Sequence, residues 1–447
     1  MASITTLAPT GVLGYGFNKD SFERGMSFNP DVIATDAGST DPGPYYLGSG
    51  MPRCPRVSYE RELNTLIGTA LERKIPFIVG TAGGTGSDTA VAWTTEIVRE
   101  LAKKNGWHFK MAVISGQIPN TTVLKALREG RISDFEAGSM PTEEEIASST
   151  IVAQMGHEPL VRALEQGAQV VIAGRACDDA VLASMAIHKG FDPGLAIHMG
   201  KILECGAFCS EPFAMDTMVG ILDETGFALE PGSLERKCTV ASVAGHSLYE
   251  RVDPFIQHGP GHVVDMTGSQ FEQLSDRRVR VTGTKFKETS PYKVKLEGVR
   301  GVGFRTISIA GIRCPTLIAS LDDVLRDLRA YVENYFRDVP FKLSFTVYGR
   351  DGVMRELEPK RHEVPHEVAL MVEAVADKQE LAHAICYTTI GKLLHFSYPG
   401  VKNNAGNLAF PFSPSVFDVG EAYEFSVYHL MEVNDPCEHF PMTMETL

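Results

Sequence analysis

The sequence predicts an α/β protein. Residues 1–215 read as an open, mostly parallel, Rossmann-like sheet flanked by helices, and residues 216–447 as an α+β domain. Three segments carry the first half of that expectation: DVIATDAGSTDPG (Asp31 to Gly43), PFIVGTAGGTGSD (Pro76 to Asp88) and VVIAGRACDD (Val170 to Asp179). Each runs an apolar stretch of buried-strand length into glycine, hydroxyl and carboxylate residues, and a helical pattern follows within a few residues. That order builds binding sites at the carboxyl ends of parallel strands. If the three strands are neighbours, Asp36, Asp88 and Asp178 converge on one crevice, among backbone N–H groups offered by Gly83, Gly84 and Gly86.

The helices between these strands follow from periodicity and end signals. Tyr59 to Lys74 places Leu63, Leu66, Ile67, Ala70 and Leu71 on one face, and Ala90 to Asn105 does the same with Ile97, Val98 and Leu101 before the cap glycine Gly106. KMAVI (Lys110 to Ile114) is a further short strand. Thr142 and Glu145 have capping-box spacing and open a helix expected to break near Gly156, and Pro159 opens another that ends at Gly167. After a helix from Leu195 to Phe208 the texture turns to β patterns: CTVASV, RRVRVTG, YKVKLEG, RTISIAGI, KLSFTVYG and EVALMVEAV. Helical segments at Leu317 to Phe336 and Gln379 to Leu394 interrupt them. The punctuated loop Ser397 to Ser415 is long enough to be a lid or an intersubunit arm.

Composition bounds the function. The 447 residues are 43% hydrophobic and 22% charged, the balance of an ordinary soluble chain, and no apolar run is long enough to span a membrane. With no secretory signal, and eight cysteines mostly in apolar surroundings, a cytoplasmic location is expected. A net charge of −14 argues against nucleic acid as partner. One segment opposes that balance: Arg277 to Arg300 holds eight basic residues and two acids. Its lysines, Lys285 and Lys293 among them, form either a solvated sheet face or an anion site for a carrier such as coenzyme A.

Chemistry-bearing residues cluster after the three strands. Asp36 is placed to act as a general base or to cap its own turn, with Ser39 and Thr40 beside it to orient a substrate. TAGGTGSD, through Gly83, Gly84 and Thr85, is either an anion cradle at a helix N-terminus or a glycine turn needed for close packing. It is neither a Walker A loop nor a dinucleotide fingerprint. In GRACDDA, Arg175 suits bidentate grip on a carboxylate or phosphate, one of Asp178 and Asp179 is expected to be a helix N-cap, and Cys177 becomes a nucleophile only beside a cation. Glu204 and His246 are further acid–base candidates. His198, Cys205 and Cys209 share a helix face, a pattern of core residues more often than of zinc ligands.

Together DAGSTDPGPYYLGSG, TAGGTGSD, AQMGHEPLVRAL, VIAGRACDDA, GLAIHMGKILECGAFCSEP, PYKVKLEGV and GNLAFPFSPS resemble the acyclic terpene utilisation (AtuA-type) family, from about residue 30 to residue 430. The resemblance implies a catabolic context in which branched, unsaturated acids are handled as acyl-CoA thioesters, and it implies no catalytic residues. Longer relatives carry an additional ferredoxin-like domain, so a small separate subunit is an expected partner beside a homo-oligomer. The combined reading is a lyase, hydratase or isomerase working by acid–base chemistry on a branched or unsaturated carboxylic acid or acyl-CoA, with no cofactor and no metal beyond the coenzyme A of the substrate. Two alternatives remain: a non-catalytic ligand-binding or scaffolding subunit, and a nucleotide hydrolase using the two glycine-containing loops.

Overall fold

The computed structural model describes residues 2–136 and 138–447. Its contacts divide the chain into two units, one formed by Met1–Arg300 with Phe425–Leu447 and the other by Gly301–Glu424. The larger unit is built on a ten-stranded sheet. At its centre Ser3–Ala8, Val32–Asp36, Phe77–Gly80, Val170–Ala173 and Lys110–Ile114 lie side by side in that order, all parallel. Met218–Asp223, Gly226–Pro231, Val279–Thr282 and Gln270–Gln273 extend one edge antiparallel, and Met442–Thr446 closes the other edge antiparallel to Lys110–Ile114.

The sheet as a whole is therefore mixed: its five strands from residues 1–215 are parallel to one another, and strands from residues 216–447 add antiparallel edges. The reason is local. The Asp223 carboxylate accepts the N–H groups of Thr225 (2.9 Å) and Gly226 (3.2 Å), which folds the chain back after Asp223. A connection that short permits only antiparallel pairing.

The central strands read as unbroken apolar runs because both of their faces are covered. Ile33, Phe77, Val79, Val170 and Ile172 pack with Leu63, Leu66, Ile67, Ile97 and Val98 of the helices Arg56–Arg73 and Asp88–Asn105. Their neighbours Val32, Ala34, Ile78, Val171 and Ala173 pack with Val181, Leu182, Ile197 and Ile202 of Asp178–His188 and Pro193–Leu203. Each fully buried Leu, Ile or Val side chain contributes about 1.5–3 kcal/mol by leaving water.

Two local readings of the sequence are corrected here. STIVA does not continue the Thr142 helix: the helix is Glu143–Ala147, and Ser149–Ala153 is a strand paired with Leu296 to Arg300. β-branched Thr150, Ile151 and Val152 favour that pleated surface. Conversely, much of CTVASV is the helix Val240–Ser247, started by reciprocal hydrogen bonds between Thr239 and Ser242.

In the smaller unit, Phe341–Tyr348 and residues 304–312 both pair antiparallel with Val368–Ala376. Leu321–Tyr335 and Gln379–Leu394 supply Leu325, Leu328, Ile385 and Leu393 to its core. Asn407 holds the 397–415 loop by donating to the carbonyls of Leu393 (2.8 Å) and Phe396 (2.9 Å). Among the described residues, no helix is long and apolar enough to cross a membrane.

Candidate functional site

Parallel register brings the carboxyl ends of three strands together. Asp36 pairs across from Gly80, the Ala37 N–H donates to the Gly80 carbonyl (3.0 Å), and the Thr81 N–H donates to the Gly174 carbonyl (2.9 Å). The loops that follow can come this close only because glycines lie between them. A Cβ on Gly86 (φ +66°) would fall 2.1 Å from the Arg175 nitrogen, and one on Gly38 would fall 2.5 Å from the Gly84 carbonyl oxygen. Thr81 is buried with φ +50°, a left-handed conformation that strains a β-branched residue, and its hydroxyl oxygen accepts from Arg175 Nη1 (3.3 Å).

Two of the three convergent aspartates meet. Asp36 is buried; its Oδ2 accepts the Gly38 N–H (2.8 Å), while Oδ1 is enclosed with no hydrogen-bond partner among the described residues. Burial holds the Asp36 carboxyl well above the ordinary carboxylate range, and the charge of nearby Asp178 adds to the effect against the pull of Arg175. Asp178, with its side chain 30% exposed, bonds Arg175 Nη1 at 3.2 Å. Burial raises its pKa too, but Arg175 and Lys201 oppose the rise. Asp88 instead accepts from the Ser115 hydroxyl (2.5 Å) while its N–H donates to Gln117, so it is engaged by the loop after Lys110–Ile114.

Arg175 is engaged by the protein through all three of its side-chain nitrogens. Nε and Nη2 donate to the two oxygens of Glu297 (2.7 and 3.3 Å), and Nη1 reaches Thr81, the Ala176 carbonyl and Asp178. The buried ion pair fixes the guanidinium beside Asp36 and Asp178. Glu297 is 1% exposed and also bonds Lys295 (2.9 Å). Burial opposes its ionisation, yet Arg175 and Lys295 together hold its pKa at about 2. The Lys295 ammonium lies 5.6 Å from the Phe135 ring centre and 5.1 Å from that of Tyr428.

The glycine loop spends its N–H groups internally: Gly83 donates to the Tyr59 hydroxyl, Gly84 to the Thr81 carbonyl, Thr85 and Gly86 to the Ala82 carbonyl. Thr85 is buried against the Ser87 hydroxyl (3.1 Å), and Ser87 caps the next helix. The close-packing alternative accounts for these contacts. Ser39 donates to Asp41 (2.8 Å), and Thr40 is buried behind it. Cys177, not an aspartate, occupies the N-cap of Asp178–His188 and makes no side-chain cap bond. Its thiol is pushed well up by burial and by Asp179 and Asp178, the opposite of nucleophile activation.

A second cluster adjoins Asp178. Burial pushes Glu204 up to about 8 although Lys201 bonds it, and Asp178 contributes to the rise. Lys201 sits 5.2 Å from the Tyr249 ring centre, and His246 stacks on that ring at 4.5 Å with its pKa lowered to about 4, first by burial and then by Lys201. Lys285 and Lys293 lie apart from one another. Lys285 is exposed on Lys285–Glu288, whereas Lys293 pairs with Glu432 (3.4 Å). Most of the basic segment is neutralised in the same way, Arg278 by Glu230 (2.7 Å) and Arg280 by Asp223 (2.8 Å). Among the described residues, no three His, Cys, Asp or Glu side chains are grouped to hold a metal, and His198 is buried, bonding Thr284 (2.7 Å) and Ser247.

Sequence reading did not single out Glu297, Thr81 or Lys201, and placed Lys295 only in the basic strands considered for a carrier's phosphates. Glu297 alone left a signal, as a solitary acid in the strand KVKLEG at a position between inward-facing residues.

The family model described as acyclic terpene utilisation family protein AtuA matches residues 56–411. That segment contains Arg175, Asp178, Glu204 and Glu297 and begins after Asp36. No curated protein and no solved structure matches the chain.

Proposed function

The chain belongs to the acyclic terpene utilisation family, a family of terpene catabolism, and on that premise we propose that it is a cofactor-independent acid–base enzyme. It would be a lyase, hydratase or isomerase acting on a branched or unsaturated carboxylic acid or its acyl-CoA. The observation that carries this reading is the pairing of Asp36 and Asp178 around Arg175 at the strand ends. Neighbouring carboxyl groups in different surroundings divide the acid and base roles between them. Asp36, buried with one oxygen unpartnered among the described residues and its pKa raised by burial, is the group more inclined to hold a proton and is the donor. Asp178, the more accessible and in contact with Arg175, is the base that takes a proton beside the substrate carbonyl.

In this reading Arg175 does not bind substrate; its fixed charge, held by Glu297, favours an enolate forming next to Asp178. Glu204, with a pKa of about 8, is a second proton store linked to Asp178 through charge. A cytoplasmic placement fits the eight free cysteines. The exposed Val353 (83%), Leu357 (80%) and Val364 (64%) of the smaller unit favour a second reading, a subunit that docks on a partner enzyme.

The test is a thermal-shift and turnover screen with unsaturated acyl-CoAs, their free acids, free CoA, nucleotides and divalent metals. Stabilisation and conversion of an unsaturated acid or thioester are expected, because ligands of the native state raise its melting temperature. Conversion that appears only after a partner protein is added would replace the enzyme reading with the docking one. Stabilisation by nucleotide with magnesium would replace both.

A further inference from the structure

A second arginine reaches the strand ends where Asp36 lies. The Arg53 N–H donates to the Gly83 carbonyl (3.1 Å), and a Cβ on Gly84 would fall 2.4 Å from the Arg53 Cβ, so the stem of Arg53 lies against the glycine loop. The same loop meets the Asp36 turn at Gly38, whose N–H donates to the Asp36 carboxyl. Arg175 and Lys201 are each bonded to carboxylates. Arg53 is half-buried and, among the described residues, has no carboxylate partner.

Tyr15 aims its guanidinium. Arg53 Nη2 donates to the Tyr15 hydroxyl (2.7 Å), and the guanidinium carbon lies 5.3 Å from the Tyr15 ring centre. The Tyr15 loop is tied to the site in turn. The Leu13 N–H donates to the Asp36 carbonyl (2.9 Å), and the N–H groups of Gly14 and Gly16 donate to the two oxygens of buried Glu62 (2.8 and 2.7 Å). Both glycines have left-handed backbones (φ +98° and +91°), which lets them present their N–H groups to one carboxyl on either side of Tyr15. Tyr15 takes one N–H of the Arg53 fork and leaves the rest of it unbonded, and such a fork matches the oxygens of a carboxylate or phosphate. Burial raises the carboxyls of Asp36 and Glu62, which lessens the like charge that an incoming anion meets.

We propose that Arg53 is the anion-binding residue of the Asp36 crevice, gripping an oxyanion of the substrate, a carboxylate or a phosphate, and that Tyr15 is the residue that positions it. The inference rests on the reading of the Asp36 crevice as the reacting site and adds the group that holds the substrate there.

The experiment is calorimetric titration of dimethylacrylate and its medium-chain homologues, of their primary amides, and of coenzyme A against the full chain and its variants. If the oxyanion is a carboxylate, the acids bind at least about tenfold more tightly than the amides; if it is a phosphate, coenzyme A binds. In either arm Arg53→Gln, which keeps the stem and the backbone N–H, should weaken that anion about ten- to a hundredfold, the range of a charged hydrogen bond, without moving amide binding or the melting temperature. Tyr15 is 51% exposed, so Tyr15→Phe leaves the core intact; it should weaken the anion severalfold and add nothing in the Arg53→Gln background. Lys285→Ala, on the basic segment, should bind as the unmodified protein does. Anion binding unmoved in Arg53→Gln, lost instead in Lys285→Ala, or absent from the unmodified protein overturns the proposal, as does equal binding of acids and amides without binding of coenzyme A. A Tyr15→Phe effect that persists in Arg53→Gln overturns the positioning role. Asp36→Asn separates the two claims: it should bind the anion normally and lose turnover. Retained turnover in that variant defeats the acid–base reading while leaving Arg53 as the anion-binding residue.

Discussion

Carboxyl groups in this molecule are sorted by their neighbours. Asp36 and Glu204 are raised by burial, whereas Glu297, buried as deeply, is held at about 2 because two cations face it. These shifts give stability a pH dependence of known sign. Glu204 moves from 4.5 to about 8 on folding, so its favourable contribution is complete below about pH 4.5 and is lost as pH rises through 8. Glu297 moves the other way, from 4.5 to about 2, and its contribution is present above pH 4.5 and lost as pH falls through 2. Melting temperatures measured from pH 4 to 9 should therefore fall less steeply above pH 5 in Glu204→Gln than in the unmodified protein; identical slopes would contradict the assignment. Glu297→Ala leaves Arg175 and Lys295 without their buried counter-charge and should cost about 3–5 kcal/mol at pH 7, read by denaturant unfolding. Asp36→Asn keeps an oxygen for the Gly38 N–H, so it should fold normally while turnover drops about 10²–10⁴-fold.

Loops at the strand ends convert this charge pattern into a site. Gly86 is the position where the glycine loop and the Arg175 loop touch, and its Cβ-free, left-handed backbone permits the contact. Gly86→Ala should destabilise the protein by more than about 1–2 kcal/mol, the cost of the backbone conformation alone, because Arg175 must also move; a neutral effect on unfolding would show that the contact is dispensable. Much of this level was legible in sequence. The three strand-to-loop segments, the capping box at Thr142 and the cap glycine Gly106 are local signals, and the structure has each of them. What was hidden depended on distant partners. Glu297 lies 122 residues from Arg175, and the two-carboxylate grip that holds Arg175 cannot be inferred from GRACDDA alone. STIVA had a local β signal in Thr150, Ile151 and Val152, but the strand that pairs with it, Leu296 to Arg300, is distant in sequence. The choice between the two readings of the glycine loop depended on distant partners too: its N–H groups meet the Tyr59 hydroxyl and neighbouring carbonyls.

For the whole molecule, the mixed sheet explains where chemistry can occur. Its five central parallel strands end together on one side, where the loops carry Asp36, Arg175 and Asp178, and antiparallel strands flank them at both edges. The basic strands, which drew attention as an anion site, are largely neutralised by Glu230, Asp223 and Glu432, so the net charge of −14 is not offset by a free cationic patch there. Binding to nucleic acid should accordingly be undetectable at physiological salt in a filter-retention assay. The central claim is that Asp36 and Asp178 move a proton at carbon. Its most direct test is to incubate the protein in deuterium oxide with a panel of branched, unsaturated acyl thioesters and to follow deuterium at the carbons next to the carbonyl by NMR. The account predicts incorporation with at least one thioester, lost in Asp36→Asn although that variant remains folded. Incorporation unchanged in Asp36→Asn, or none with any thioester in the unmodified protein, would contradict it.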